Sequence, residues 1–175
     1  STIEGAFAAA SIQQDLAIGE TDLSLNLEPN ELAISPDGLE MLLGGSAVSE
    51  PADCIRYFDP ESSKKTATQP PSLGNARGDL ALLLSDDFAN QVLYGLWRGG
   101  VLCYSLDDSA SLPLNTAILG LLAGDAFDAF FPDPQPVIIA TRPSLPPVVA
   151  YDGIHDVAAE ITQLGLDIFA ELDGR

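Results

Sequence analysis

Few side chains in this sequence are equipped for covalent chemistry. There is one histidine, His155, next to Asp156, and there are two cysteines, Cys54 and Cys103. Nucleophilic catalysis needs a base beside the nucleophile, usually a histidine. His155 falls at the end of a strand-like run and reads as a surface turn residue. The sequence has no Gly-x-Ser-x-Gly elbow and no glycine-rich phosphate loop. One histidine and two distant cysteines make a poor zinc set. Acidic pairs occur at Asp86/Asp87, Asp107/Asp108 and Asp125/Asp128. The first fits a helix cap and the second a turn, and none has the spacing of an EF-hand loop. Calcium held between separate loops stays open. The expectation is a non-enzyme with no cofactor, no catalytic residues and no metal site.

The charge balance narrows the partners. Lys plus Arg is 7 and Asp plus Glu is 26, for a net charge of −19. Nucleic acid demands basic patches, so no nucleic-acid partner is expected. Anionic membrane surfaces are disfavoured for the same reason. Residues 1–50 hold nine acids and no Lys or Arg, whereas Arg56, Lys64, Lys65 and Arg77 cluster between 54 and 77. Hydrophobic residues make up 46% of the 175, which is enough for a packed core. Two cysteines in an acidic, Lys-poor chain fit a disulfide made in an oxidising compartment; two separately buried thiols are the alternative. No apolar run approaches the ~20 residues that a membrane-spanning helix needs. The sequence opens on Ser1 without a signal peptide and ends at Asp173-Gly174-Arg175, a hairpin-turn pattern. It therefore reads as a piece of a larger polypeptide.

The elements that position these residues are organised around Ser85–Leu106. Ser85 or Asp86 is placed to cap a helix, and Asp86 and Asp87 suit its positive end. Phe88, Ala89, Val92, Leu93, Leu96 and Trp97 recur at helical spacing as an apolar face, leaving Asn90, Gln91, Tyr94 and Arg98 on the other side. Gly99-Gly100 ends the helix, and a strand is expected over 101–106. Before it, residues 2–12 and 23–27 read as strands, 28–31 as a turn, 32–35 as a return strand, Pro36–Gly38 as a tight turn and 39–43 as a further strand. Residues 49–78 are loop-rich, with a short strand at 55–58. Leu80, Leu82 and Leu84 alternate as in a strand. After 106 come a turn, a helix over 114–123 and a short helix carrying Phe127, Phe130 and Phe131. Strands follow at 137–140, 148–154 and 161–172. The class is α+β, read as a single domain or large fragment over 1–175: a strand-rich sheet and loop over 1–78, then a helical middle and closing strands over 79–175.

Two runs of residues resemble the tubular lipid-binding (TULIP) superfamily, which includes bactericidal/permeability-increasing protein, lipopolysaccharide-binding protein and cholesteryl ester transfer protein. Ser85, Asp86, Asn90, Leu96, Trp97, Gly100, Val101 and Leu102 match its helix-to-strand pattern. Phe131, Pro132, Pro136, Val137, Ile139, Pro143, Pro146, Pro147 and Val148 match its proline-punctuated strand run. The resemblance covers residues 79–172. It implies a strongly curved antiparallel sheet wrapped around a long helix, with an apolar tunnel between them. The expected tunnel lining is Phe88, Val92, Leu93, Leu96, Trp97 and Ile118. It also implies a disulfide between the helix region and a neighbouring strand, a role open to Cys54 and Cys103. The implied function is a lipid-binding or lipid-transfer module holding acyl chains, in an extracytoplasmic place: periplasmic, outer-membrane-associated or secreted. Burying about ten methylenes at ~0.8 kcal/mol each gives ~8 kcal/mol before association costs. The sequence departs from the cationic antibacterial members by its −19 charge, so lipopolysaccharide recognition is not expected. The second reading is a structural or interaction domain of a larger secreted protein whose core is filled by its own side chains. A homo-oligomer is compatible with either.

Overall fold

The computed structural model describes residues 11–36, 38–55, 80–106, 114–124, 127, 129–151 and 157–170. In chain order its elements are β1 (Ile12–Ile18), β2 (Thr21–Ser35), β3 (Gly38–Val48), α1 (Asp86–Arg98), β4 (Ser105–Leu106), α2 (Thr116–Ala123), β5 (Val137–Pro143), β6 (Val148–Ala150), β7 (Ala158–Glu160) and β8 (Leu164–Ala170). The chain divides into two compact units, Ser1–Val101 with Leu145–Thr162, and Leu102–Ser144 with Gln163–Arg175.

The first unit is built on the antiparallel meander β1-β2-β3. Gly19, at φ 62°, turns β1 into β2, and Ile18 pairs with Thr21 across that turn. A left-handed φ of this kind favours glycine over any residue with a Cβ. Strand β2 runs for 15 residues without the turn expected at 28–31. Pro29 pairs with Leu43 and Glu31 with Leu42, so Asn30 is absorbed as a bulge. Proline lacks the N–H of a regular ladder and is tolerated at such an irregularity. At the expected tight turn Pro36–Gly38, Ser35 pairs with Gly38, and Asp37 lies outside the described residues. Strand β3 then passes through Gly44-Gly45 to Val48, farther than expected. Helix α1 crosses this sheet, and the small antiparallel sheet β6-β7 lies beside it.

The cap residues of α1 behave as their types dictate. The Ser85 hydroxyl accepts from the Phe88 N–H at 3.1 Å. At the other end, Gly100 N–H donates to the Trp97 carbonyl and Val101 N–H to the Leu96 carbonyl, at 3.0 and 3.1 Å. These two bonds, with Gly100 at φ 88°, form a Schellman stop. The chain before Ser85 is not a strand: Leu80–Leu84 runs free of any sheet. The strand expected over 101–106 is limited to Ser105–Leu106.

In the second unit β4, β5 and β8 form an antiparallel sheet in the order β4-β5-β8. Thr141 stitches it to the incoming chain: its hydroxyl accepts from the Tyr104 N–H at 2.7 Å and donates to the Leu102 carbonyl at 2.6 Å. Strand β8 starts at Leu164 rather than at 161, because Gln163 takes a left-handed φ of 54°.

The expected architecture, a strongly curved sheet wrapped around a long helix, is not formed. Among the described residues there are small antiparallel sheets and two short helices, of 13 and 8 residues. The physical reason lies in the helix ends. Thirteen residues at ~1.5 Å each give only ~20 Å of helix, and Ser85 and Gly99-Gly100 fix both limits. Glycine at 124, with φ 84°, ends α2. No described helix is long and apolar enough to cross a membrane. Residues 2–10, 56–58, Lys64-Lys65, Asp107/Asp108, Asp125, Asp128 and His155 lie outside the described residues.

Candidate functional site

Of the residues expected to line a tunnel, five sit on α1 in the first unit and Ile118 sits on α2 in the second. Trp97 is 1% exposed, and its ring lies 5.7 Å from that of Tyr94. Phe88, Val92, Leu93 and Leu96 are half-buried, and Ile118 is exposed at 38%.

The most buried side of α1 differs from the apolar face read from spacing: it carries Asn90, Gln91, Tyr94, Gly95 and Trp97. Polar groups turn inward here because the neighbouring backbone satisfies them. Asn90 Nδ2 donates to the Val149 carbonyl at 2.8 Å, and the Val149 N–H donates to Asn90 Oδ1 at 2.7 Å. The Ser49 hydroxyl donates to the Gly95 carbonyl at 2.5 Å, and the Thr21 hydroxyl to the Gly99 carbonyl at 2.6 Å. Helix and sheet approach closely at glycines. A Cβ on Gly95 would stand 2.6 Å from Leu23 Cδ1, and one on Gly45 would run into the Phe88 ring. Face and sheet thus fill each other along Leu23, Leu27, Gly45 and Ala47, and this contact is a packed core.

An apolar opening is found instead in the second unit. A cavity of about 460 Å³ is lined by Leu119, Ala123, Phe127, Phe131, Ile168 and Ala170. Three local devices assemble it. Helix α2 is capped by Asn115, whose Oδ1 accepts from the Ile118 N–H at 3.1 Å. Thr116 fixes the start of that helix: its hydroxyl accepts from the Gln135 N–H at 2.9 Å, and its own N–H donates to the Gln135 carbonyl at 2.9 Å. Leu119 and Ala123, four residues apart, then share one helix side. The Phe127 and Phe131 rings pack at a tilt of 38°, with 5.0 Å between centroids. Ile168 and Ala170 alternate on one face of β8, opposite Ile139 and Val137 of β5.

The lining has no hydroxyl, amide or charged side chain, so its chemistry is limited to taking apolar surface out of water. The lining expected from the sequence, five residues of α1 with Ile118 of α2, includes none of these six. The usable signal was there in three same-face spacings: Leu119/Ala123, Phe127/Phe131 and Ile168/Ala170. Among the described residues no three His, Cys, Asp or Glu side chains gather at metal-binding distance. Asp86 and Asp87 occupy the first turn of α1, where Asp86 Oδ1 accepts from the Asp87 N–H at 3.0 Å.

Cys54 and Cys103 are joined as a disulfide. No family model, no curated protein and no solved structure matches the chain, and nothing identifies a relationship to the tubular lipid-binding superfamily.

Proposed function

We propose that this chain is an extracytoplasmic module that binds a lipid or another long apolar ligand, with the pocket between α2, the Phe127–Phe131 segment and β8 as its site. The single observation that carries the reading is that every side chain lining a cavity of about 460 Å³ is apolar. That volume falls within the ~300–1,000 Å³ of ordinary ligand pockets, which usually include a few polar groups to orient the ligand. Here no polar side chain sets an orientation, so an acyl chain suits the site better than a functionalised metabolite. The disulfide supports the extracytoplasmic setting, since such bonds persist in oxidising compartments.

Titration with a fluorescent fatty acid tests the reading. Saturable binding is expected, with displacement by unlabelled fatty acid. Ile168→Asp should abolish it, because a bound ligand chain would cover the charge without compensating it. The fold should tolerate that change, as Ile168 is 53% exposed. Leu93→Asp on α1 should leave binding in place wherever the variant folds. No saturable binding by folded protein would defeat the proposal.

The second reading, an interaction domain of a larger secreted protein, is favoured by a separate observation. Ile34 and Leu39, paired across β2 and β3, are 75% and 61% exposed. Contiguous exposed apolar surface of this kind marks contact sites.

A further inference from the structure

The apolar face of the β1-β2-β3 sheet is longer than the helix that covers it. Three close approaches fix how α1 lies. Phe88 sits on Gly45 beside Leu27, Gly95 on Leu23 and Ala47, and Gly99 on Thr21 and Ser49. Helix α1 therefore runs antiparallel to β2, with its first turn over the Leu27/Gly45 rung. Beyond that rung the same face continues through Pro29/Leu43, Leu32/Met41 and Ile34/Leu39. Glu31 and Glu40 pair with Leu42 and Ala33, so both acids fall on the opposite face. Ile34, Leu39 and Met41 are exposed at 75%, 61% and 44%.

The segment entering α1 from this side is equally bare. Leu80 and Leu82 are 90% and 91% exposed, and Leu84 is 53% exposed. It is tethered at Ser85, the helix cap, next to the point where the sheet face becomes uncovered. Residues 80–84 extended span ~17 Å, and the β3 positions from Leu43 to Leu39 span ~14 Å at ~3.4 Å each. The segment has no charged side chain, and its alternating leucines present one apolar side when extended.

We infer that Leu80–Leu84 is a strap that folds back from Ser85 and closes over the uncovered rungs Leu32/Met41 and Ile34/Leu39. The described form is the open one. Closing buries apolar surface on both sides, and it costs the backbone freedom of five residues. These terms oppose each other, so closure is reversible. The closed strap withholds the hairpin face from any other apolar surface, which makes it an autoinhibitory cover.

Spin labels at Leu82→Cys and Met41→Cys test this by pulsed electron–electron distance measurement, with the native disulfide intact. A short-distance component within one chain is expected. It should be lost when Leu80 and Leu84 are both changed to Asp, a pair exposed enough to leave the fold and its melting unchanged. Binding of a hydrophobic dye should rise in the same variant. A single long distance, unaffected by the aspartates, overturns the strap. Short distances that arise only between singly labelled copies overturn it too, because a second copy then covers the face.

Discussion

Asn90 and Val149 are 59 residues apart in sequence and exchange two hydrogen bonds, at 2.8 and 2.7 Å. A carboxamide here completes the pairing of a strand residue and so fastens α1 to β6. Asn90 is 7% exposed, so water cannot replace the missing partner when the side chain is cut back. Each buried group left unsatisfied costs ~1–3 kcal/mol. Asn90→Ala is expected to lose ~2–4 kcal/mol in denaturant melts. Asn90→Asp should also lose stability, because its carboxylate would face the Val149 carbonyl without a donor. Wild-type stability in both variants would remove this pair as the anchor.

Trp97 supplies a second measure of the same core. It is the chain's one tryptophan, is 1% exposed and packs on Tyr94. Its fluorescence in the native protein should resist iodide, and Trp97→Ala should cost ~3–5 kcal/mol. Ready quenching before unfolding would mean that α1 does not hold its place on the sheet.

These two residues show what could be read from the sequence and what could not. Trp97 was legible because an aromatic at helical spacing beside Leu93 and Leu96 belongs inside on hydrophobicity alone. The caps were legible for the same local reason, with Ser85 before two acids and a glycine pair after Arg98. Periodicity puts Asn90, Gln91 and Tyr94 on the outer side, because it scores them as polar. What turns Asn90 inward is a backbone pair supplied by β6, and no local pattern carries that. Pro29 misled similarly: it suggested a turn, while pairing with β3 held the chain straight and expelled only Asn30 as a bulge. The alternation of Leu80, Leu82 and Leu84 has strand periodicity but no partner strand, so none forms. The pocket escaped because its spacings are short and lie in separate elements, which only the tertiary fold brings to one cavity.

The disulfide between Cys54 and Cys103 closes a loop of about 50 residues. In the chain-entropy account such a loop contributes ~4 kcal/mol by restricting the unfolded chain. Protein unfolded without reductant should show no labelled thiol, and two after reduction. Cys54→Ser with Cys103→Ser should lower stability by a few kcal/mol, and added reductant should lower that of the wild type alone. A double variant as stable as the wild type would show that native strain cancels the entropic gain.

Gly95 sets propensity against packing. In an exposed helix interior, glycine to alanine gains ~1 kcal/mol. Here the new Cβ would meet Leu23 Cδ1 at 2.6 Å and the Ala47 Cβ at 3.7 Å. Leu23 is 1% exposed, so its side chain has little room to withdraw. Overpacking of this kind costs ~1–3 kcal/mol, which outweighs the propensity gain. Gly95→Ala is therefore expected to destabilise the protein, contrary to its helical position. The proof of cause is a double-mutant cycle. Leu23→Ala alone should cost ~2–5 kcal/mol as a buried large-to-small change. Combined with Gly95→Ala it should cost less than the sum, because the methyl enters the space that Leu23 Cδ1 vacates. Strict additivity in urea melts would show that the two residues do not share that space, and would withdraw the account of how α1 seats on the sheet.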